Sequence, residues 1–98
     1  MIHYYLFMKK FIVLIIYDIV DDKIRLKMVK CLERYGVRVQ KSAFEALLNR
    51  KQYDAMIRQC SRLINPNIDS LRIYILDDLV KIYTWGIGER KEQDCVIL

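Results

Sequence analysis

Residues Phe11 to Tyr17 read FIVLIIY, an unbroken apolar run rich in β-branched side chains, and Asp18 follows at once. Such a run reads as a strand at the centre of a sheet, covered on both faces. Asp18 then stands at the C-terminal end of that strand, where a short rigid stem can present a carboxylate ahead of the next element.

The chain after it predicts a helix over 22–35. Asp21 or Asp22 can cap its N-terminus, and Gly36 is placed to stop it. Ile24, Met28, Cys31, Leu32 and Tyr35 fall on one face, and Lys23, Lys27, Lys30 and Arg34 form a stripe on another. Val37 to Leu48 is extended, either as one kinked strand or, as a small sheet's edge favours, as two short strands with a reversal or bulge near Lys41-Ser42. Asn49, with Gln52 three residues on, opens a second helix carrying Tyr53, Ile57, Cys60 and Ile64 on one face. Asn65-Pro66 ends it. Asp69 to Leu76 alternates as a strand, with Leu71, Ile73 and Ile75 against Arg72, Tyr74 and Leu76. Asp77-Asp78 makes a turn, Val80 to Trp85 returns as a strand, Gly86 to Gln93 is a polar loop, and residues 94–98 make a last short strand. The order predicts an α+β ferredoxin-like βαββαβ sandwich with an extra C-terminal strand. One sheet face is left for a second copy to cover, which predicts a homodimer.

Ninety-eight residues suit one domain. With 54% apolar and 30% charged residues the chain is not disordered, and with three glycines and one proline it is neither collagen-like nor a linker. Met8-Lys9-Lys10 is the more natural start, which makes residues 1–7 either disordered or an upstream extension and 8–98 the domain. No signal peptide or membrane span is read, because Lys9 and Lys10 break the first apolar stretch and Asp18 ends the second. Cys31, Cys60 and Cys95 are odd in number and widely spaced, which disfavours a disulfide framework or a zinc site and fits a reducing cytoplasm.

The charge is +5 overall, from 17 Lys and Arg against 12 Asp and Glu. Residues 23–41 alone hold seven basic side chains and one acidic one, Glu33. That concentration points to a polyanion, with Lys23, Arg25, Lys27, Lys30, Arg34 and Arg38 as the candidate phosphate contacts. His3 is the lone histidine, so triad chemistry is disfavoured. Gly86-Ile87-Gly88 is too short for a phosphate loop. Asp18 remains the best candidate for chemistry. One carboxylate per chain is too few for a metal nuclease, but two copies across a two-fold axis supply two for a hard cation such as Mg²⁺.

These residues resemble a known family. Tyr17-Asp18-Ile19 with Asp21, Asp22 and Arg25, then Tyr35-Gly36 and Arg38-Val39-Gln40-Lys41-Ser42-Ala43-Phe44-Glu45, then Asp69 to Tyr74, resemble the second core CRISPR-associated protein over about residues 8–85. The resemblance implies a homodimer with one Mg²⁺ or Mn²⁺ ion shared between the two copies of Asp18, and a partnership with the spacer integrase in CRISPR adaptation. It implies endonuclease activity on single-stranded RNA or double-stranded DNA. By position it gives Tyr17, Asp18 and Ser42 a place in catalysis, puts Arg25 and Arg38 around them, and gives Phe44 a supporting role. It also implies that strand 94–98 pairs with the partner subunit. Lys27 stands where some members have Arg, replacing a planar fork with a point charge. Ala43 stands where Val is usual. Two other readings compete: a non-catalytic scaffold that grips duplex, and a toxin-like ribonuclease of the related VapD-type group.

Overall fold

The computed structural model describes residues 9–76. Six elements follow one another: β1 (Phe11–Asp18), α1 (Asp22–Leu32), β2 (Gly36–Gln40), β3 (Ala43–Leu48), α2 (Arg50–Ser61) and β4 (Ser70–Leu76). The strands form one antiparallel sheet in the order β2-β3-β1-β4. β1 therefore lies inside the sheet, hydrogen-bonded to β3 on one side and β4 on the other. This is the expected α+β, ferredoxin-like arrangement. The expected extension at 1–7, the elements after Leu76 and the strand at 94–98 lie outside the described residues.

The core follows from the two-residue period of the strands. Val13, Ile15 and Tyr17 of β1 and Phe44, Ala46 and Leu48 of β3 bury one face of the sheet. Met28, Cys31 and Leu32 of α1 and Met56 and Cys60 of α2 close over that face. Each such aliphatic side chain contributes about 1.5–3 kcal/mol when fully buried. The opposite face is less covered than the apolar run predicts. Ile12 is buried there, but Ile16 is 37% exposed and Asp18 is exposed. Both helices pack on one side, so cover on both faces fails toward the Asp18 end. On β4, Leu71 and Ile73 pack against the core as expected, whereas Ile75 is 56% exposed.

The helix ends need two corrections. Asp21 caps α1, its Oδ1 accepting from the Ile24 N–H at 3.0 Å. The helix stops at Leu32, though, and not at residue 35. Beyond it the Arg34 and Tyr35 N–H groups reach back only three residues, to the Cys31 and Leu32 carbonyls. This tighter turn keeps Tyr35 packed on the core, so the apolar spacing continues while the helix does not. Gly36 opens β2 instead of stopping a helix. A side chain there would collide with the Glu45 carbonyl oxygen and come within 2.8 Å of the Ala46 Cβ. Glycine is needed for close approach of β2 to β3.

The reversal at residues 41–42 separates β2 from β3 as expected, with an irregularity between Arg38 and Gln40. Asn49 and Gln52 make a full capping box on α2, with the Gln52 N–H donating to Asn49 Oδ1 at 2.8 Å and the Asn49 N–H to Gln52 Oε1 at 2.9 Å. α2 ends at Ser61, four residues before Asn65-Pro66, which instead form part of the turn into β4.

Candidate functional site

A cleft of about 630 Å³ opens at the C-terminal end of β1, lined by Ile16, Tyr17, Asp18, Ile19, Arg25, Arg38, Lys41 and Ser42. Three elements meet there: the end of β1, the start of α1, and β2 with its turn into β3. Three cations face one carboxylate, Asp18, so the lining favours an anion such as a phosphate.

Tyr17 fixes the turn against the strand. Its N–H donates to the Ser42 carbonyl and its hydroxyl to the Lys41 carbonyl, both at 3.1 Å. The same Lys41 carbonyl accepts from Arg38 Nε at 3.1 Å and Nη2 at 2.5 Å. One backbone oxygen thus gathers Tyr17 and Arg38, with Lys41 and Ser42 beside them. The Tyr17 ring is almost fully buried, its centroid 6.4 Å from that of Phe44. Burial pushes the Tyr17 hydroxyl above its ordinary pKa, opposed by the charges of Arg38 and then Arg25. Tyr17 is accordingly a neutral donor that positions the turn. Phe44 is fully buried behind it and does not line the cleft.

Arg25 is held from the other side. Its Nε donates to the Ile19 carbonyl at 3.2 Å and its Nη2 to the Val20 carbonyl at 3.4 Å, and Nη2 pairs with Asp22 at 2.9 Å. That pair is solvent-exposed, so an incoming phosphate can displace Asp22 at little cost. The loop after Asp18 is pinned by Asp69. Its Oδ1 accepts from the Val20 N–H at 3.0 Å and its Oδ2 from the Asn65 N–H at 2.8 Å. These two bonds, Asn65 first, lower the Asp69 pKa.

Asp18 itself is exposed at the rim, and its carboxylate makes no hydrogen bond or ion pair among the described residues. No cluster of three or more His, Cys, Asp or Glu suited to a metal ion occurs among those residues. Among the described residues the cleft therefore offers a cation one carboxylate, that of Asp18.

The predicted cationic residues separate into two places. Arg25 and Arg38 come to the cleft. Lys27, Lys30 and Arg34 instead line a groove of about 460 Å³ between α1 and α2, with Cys31, Gln59, Arg62 and Leu63. Lys23 is exposed and lines neither. Sequence reasoning missed Lys41, Asp69 and Arg62 as contributors. Lys41 sits inside the basic stretch and was visible there by charge. Asp69 stands in a stretch that carries the resemblance, but its bond to Val20 spans 49 residues and no local pattern reveals it, and none marks Arg62.

No helix among the described residues is long and apolar enough to cross a membrane. Residues 11–80 match the family model described as CRISPR-associated protein Cas2. The chain is 46% identical over 83 residues to a CRISPR-associated endoribonuclease Cas2 3 of Chloroflexus aurantiacus, covering 83% of this chain and 88% of that one. It is 38% identical over 76 residues to a CRISPR-associated endonuclease Cas2 2 of Thermus thermophilus, covering 78% of this chain and 82% of that one. Its structure is similar to the crystal structure of Streptococcus pyogenes Cas2 at pH 6.5, with a TM-score of 0.63, 28% identity, and coverage of 67% of this chain and 86% of that one. With the fold, the strand-end aspartate and a family match spanning most of its length, the chain belongs to the Cas2 family of CRISPR-associated proteins.

Proposed function

We propose that the protein works as a homodimer in CRISPR adaptation, binding nucleic acid, bridging the spacer integrase, and cutting phosphodiester bonds at the strand-end cleft. The observation that carries this reading is the unpaired Asp18 carboxylate at the rim of a cleft whose other charged side chains are Arg25, Arg38 and Lys41. The names of the relatives, endoribonuclease in one case and endonuclease in another, support nuclease chemistry on RNA or DNA.

Dimerisation is supported by the uncovered sheet face, where Ile16, Val37 and Tyr74 are each more than a third exposed. Pairing there brings the rim of one copy toward the other. Asp18 of both copies would then hold one Mg²⁺ or Mn²⁺ ion. When bound, that ion neutralises charge at the phosphate and makes a water more acidic. Arg25 and Arg38 grip the non-bridging phosphate oxygens, and Lys41 adds charge nearby. Ser42 lines the same cleft and its hydroxyl can hydrogen-bond the phosphate. Tyr17, packed near Phe44, holds the turn that carries Lys41 and Ser42, and Arg38 of β2 shares the Lys41 carbonyl with it.

A second reading, a duplex-binding scaffold without catalysis, is favoured by the second basic place. Lys27, Lys30, Arg34 and Arg62 lie outside the cleft and can follow a nucleic-acid backbone. One paired assay separates the two. Cleavage and duplex binding are measured on wild type and Asp18→Ala, with Mg²⁺ and with chelator. Loss of cleavage with retained binding supports the nuclease. Equal cleavage by both proteins rejects Asp18, and binding with no cleavage by either leaves the scaffold.

A further inference from the structure

Two cysteines from different helices meet beneath the basic groove. The Sγ atoms of Cys31 in α1 and Cys60 in α2 are 3.3 Å apart, across 29 residues of chain. Both are free thiols. They differ in access, since Cys60 is wholly buried whereas Cys31 is 7% exposed and forms part of the groove lined by Lys27, Lys30, Arg34 and Arg62. The Cys31 sulfur also approaches Gln59 Oε1 at 3.8 Å, and the same oxygen accepts from Arg34 Nη1 at 3.4 Å.

The geometry points to Cys31 and Cys60 as a peroxide-sensitive modification site, in which oxidation of Cys31 leads to a disulfide tying α1 to α2. Cys31 is the member of the pair that opens onto the groove, whereas Cys60 lies wholly behind it. A small hydroperoxide reaches Cys31 first. The Cys31 sulfur attacks the terminal peroxide oxygen, the O–O bond breaks, and Cys31 becomes a sulfenic acid as the peroxide leaves as water or an alcohol. Cys60 is the resolving thiol. Burial, then the bond from Cys31, push its pKa above the ordinary value, so it waits protonated. Its sulfur, already in contact, attacks the Cys31 sulfur. The S–O bond breaks, and the hydroxide leaves with the Cys60 proton as water. Two electrons pass from the thiol pair to one peroxide, and no other reactant is needed.

The disulfide constrains the unfolded chain and fixes the helix layer under the basic groove, taking Cys31 away from Gln59 and Arg34. It leaves the strand-end cleft untouched, so the site is independent of the proposed nuclease chemistry.

The test uses the full chain with Cys95→Ser, so that only this pair reports. Folded protein is treated with hydrogen peroxide, quenched in acid, alkylated under denaturing conditions and weighed intact. The expected result is joint loss of both alkylatable thiols in the monomeric mass, with a decrease of about 2 Da that dithiothreitol reverses. Cys60→Ala, checked for folding by circular dichroism, should instead accumulate a dimedone-reactive sulfenic acid on Cys31. Cys31→Ala should leave Cys60 reduced at the same dose. Two thiols surviving in the treated parent, equal dimedone labelling of Cys31 with and without Cys60, or faster oxidation of Cys60 than of Cys31 would each overturn the assignment.

Discussion

The Tyr17 hydroxyl donates to the Lys41 carbonyl at 3.1 Å and thereby joins the end of the central strand to the turn that carries Lys41, one of the cleft's three cations. The bond crosses 24 residues of chain. It explains why an apparently ordinary strand tyrosine belongs to the site. Tyr17→Phe keeps the ring on Phe44 and removes only the hydroxyl, so it should cost about 1 kcal/mol of stability. Urea titration reads that loss. Weaker nucleic-acid binding should accompany it, because Arg38 shares the Lys41 carbonyl. An unchanged midpoint and unchanged binding would show the bond to be dispensable.

Gly36 tests the pairing of β2 with β3. A methyl group added there runs into strand backbone, which cannot swing aside like a side-chain tip. Gly36→Ala should therefore destabilise by roughly 1–3 kcal/mol, as overpacking does. The denaturant midpoint should fall with the slope unchanged.

Asp69 gives the loop after Asp18 a pH dependence. Its pKa is depressed in the folded state, so its contribution is fully present above the unfolded-state value and is lost as pH falls through the lower folded-state value. Stability should drop on acidification through and below the ordinary aspartate range. Asp69→Asn cannot titrate and should show a shallower acid limb. Thermal melts of both proteins across that range compare the limbs directly. Parallel curves would remove Asp69 from the account.

Arg25 and Arg38 are expected to touch phosphate. Replacing either with Ala should weaken duplex binding and reduce the salt slope of log affinity by about 0.9 for each phosphate left without its cation. Arg58, exposed on α2 and absent from the cleft lining, is the comparison position. Arg58→Ala should leave the slope as it is. An Arg38→Ala slope equal to that of wild type would place the nucleic acid elsewhere.

Much of this arrangement was legible in the sequence for identifiable physical reasons. The apolar run before Asp18 announced a strand inside a sheet, because only burial tolerates seven such residues together. Asp21, Asn49 and Gln52 announced their helices, since capping is read from residues a few positions apart. The family resemblance puts Asp18, Arg25, Arg38, Ser42 and Phe44 in one region; the first four line one cleft, whereas Phe44 is buried behind it. The end of α1 was misplaced because Tyr35 keeps the helical spacing through a tighter turn. The role of Gly36 depends instead on Glu45 and Ala46 in another strand, which no local spacing carries. The basic stripe looked like one surface along α1. Arg62 shows otherwise, arriving from just beyond α2 to make a separate groove that no single-helix pattern contains.

The central claim is that Asp18 of two copies makes one cation site. Mn²⁺ binding followed by electron paramagnetic resonance tests it without reference to cleavage. The account predicts saturation at about one ion per two chains in wild type and loss of that site in Asp18→Asn, with dimer mass unchanged. Full Mn²⁺ binding retained by Asp18→Asn, or one ion held by each isolated chain, would contradict it.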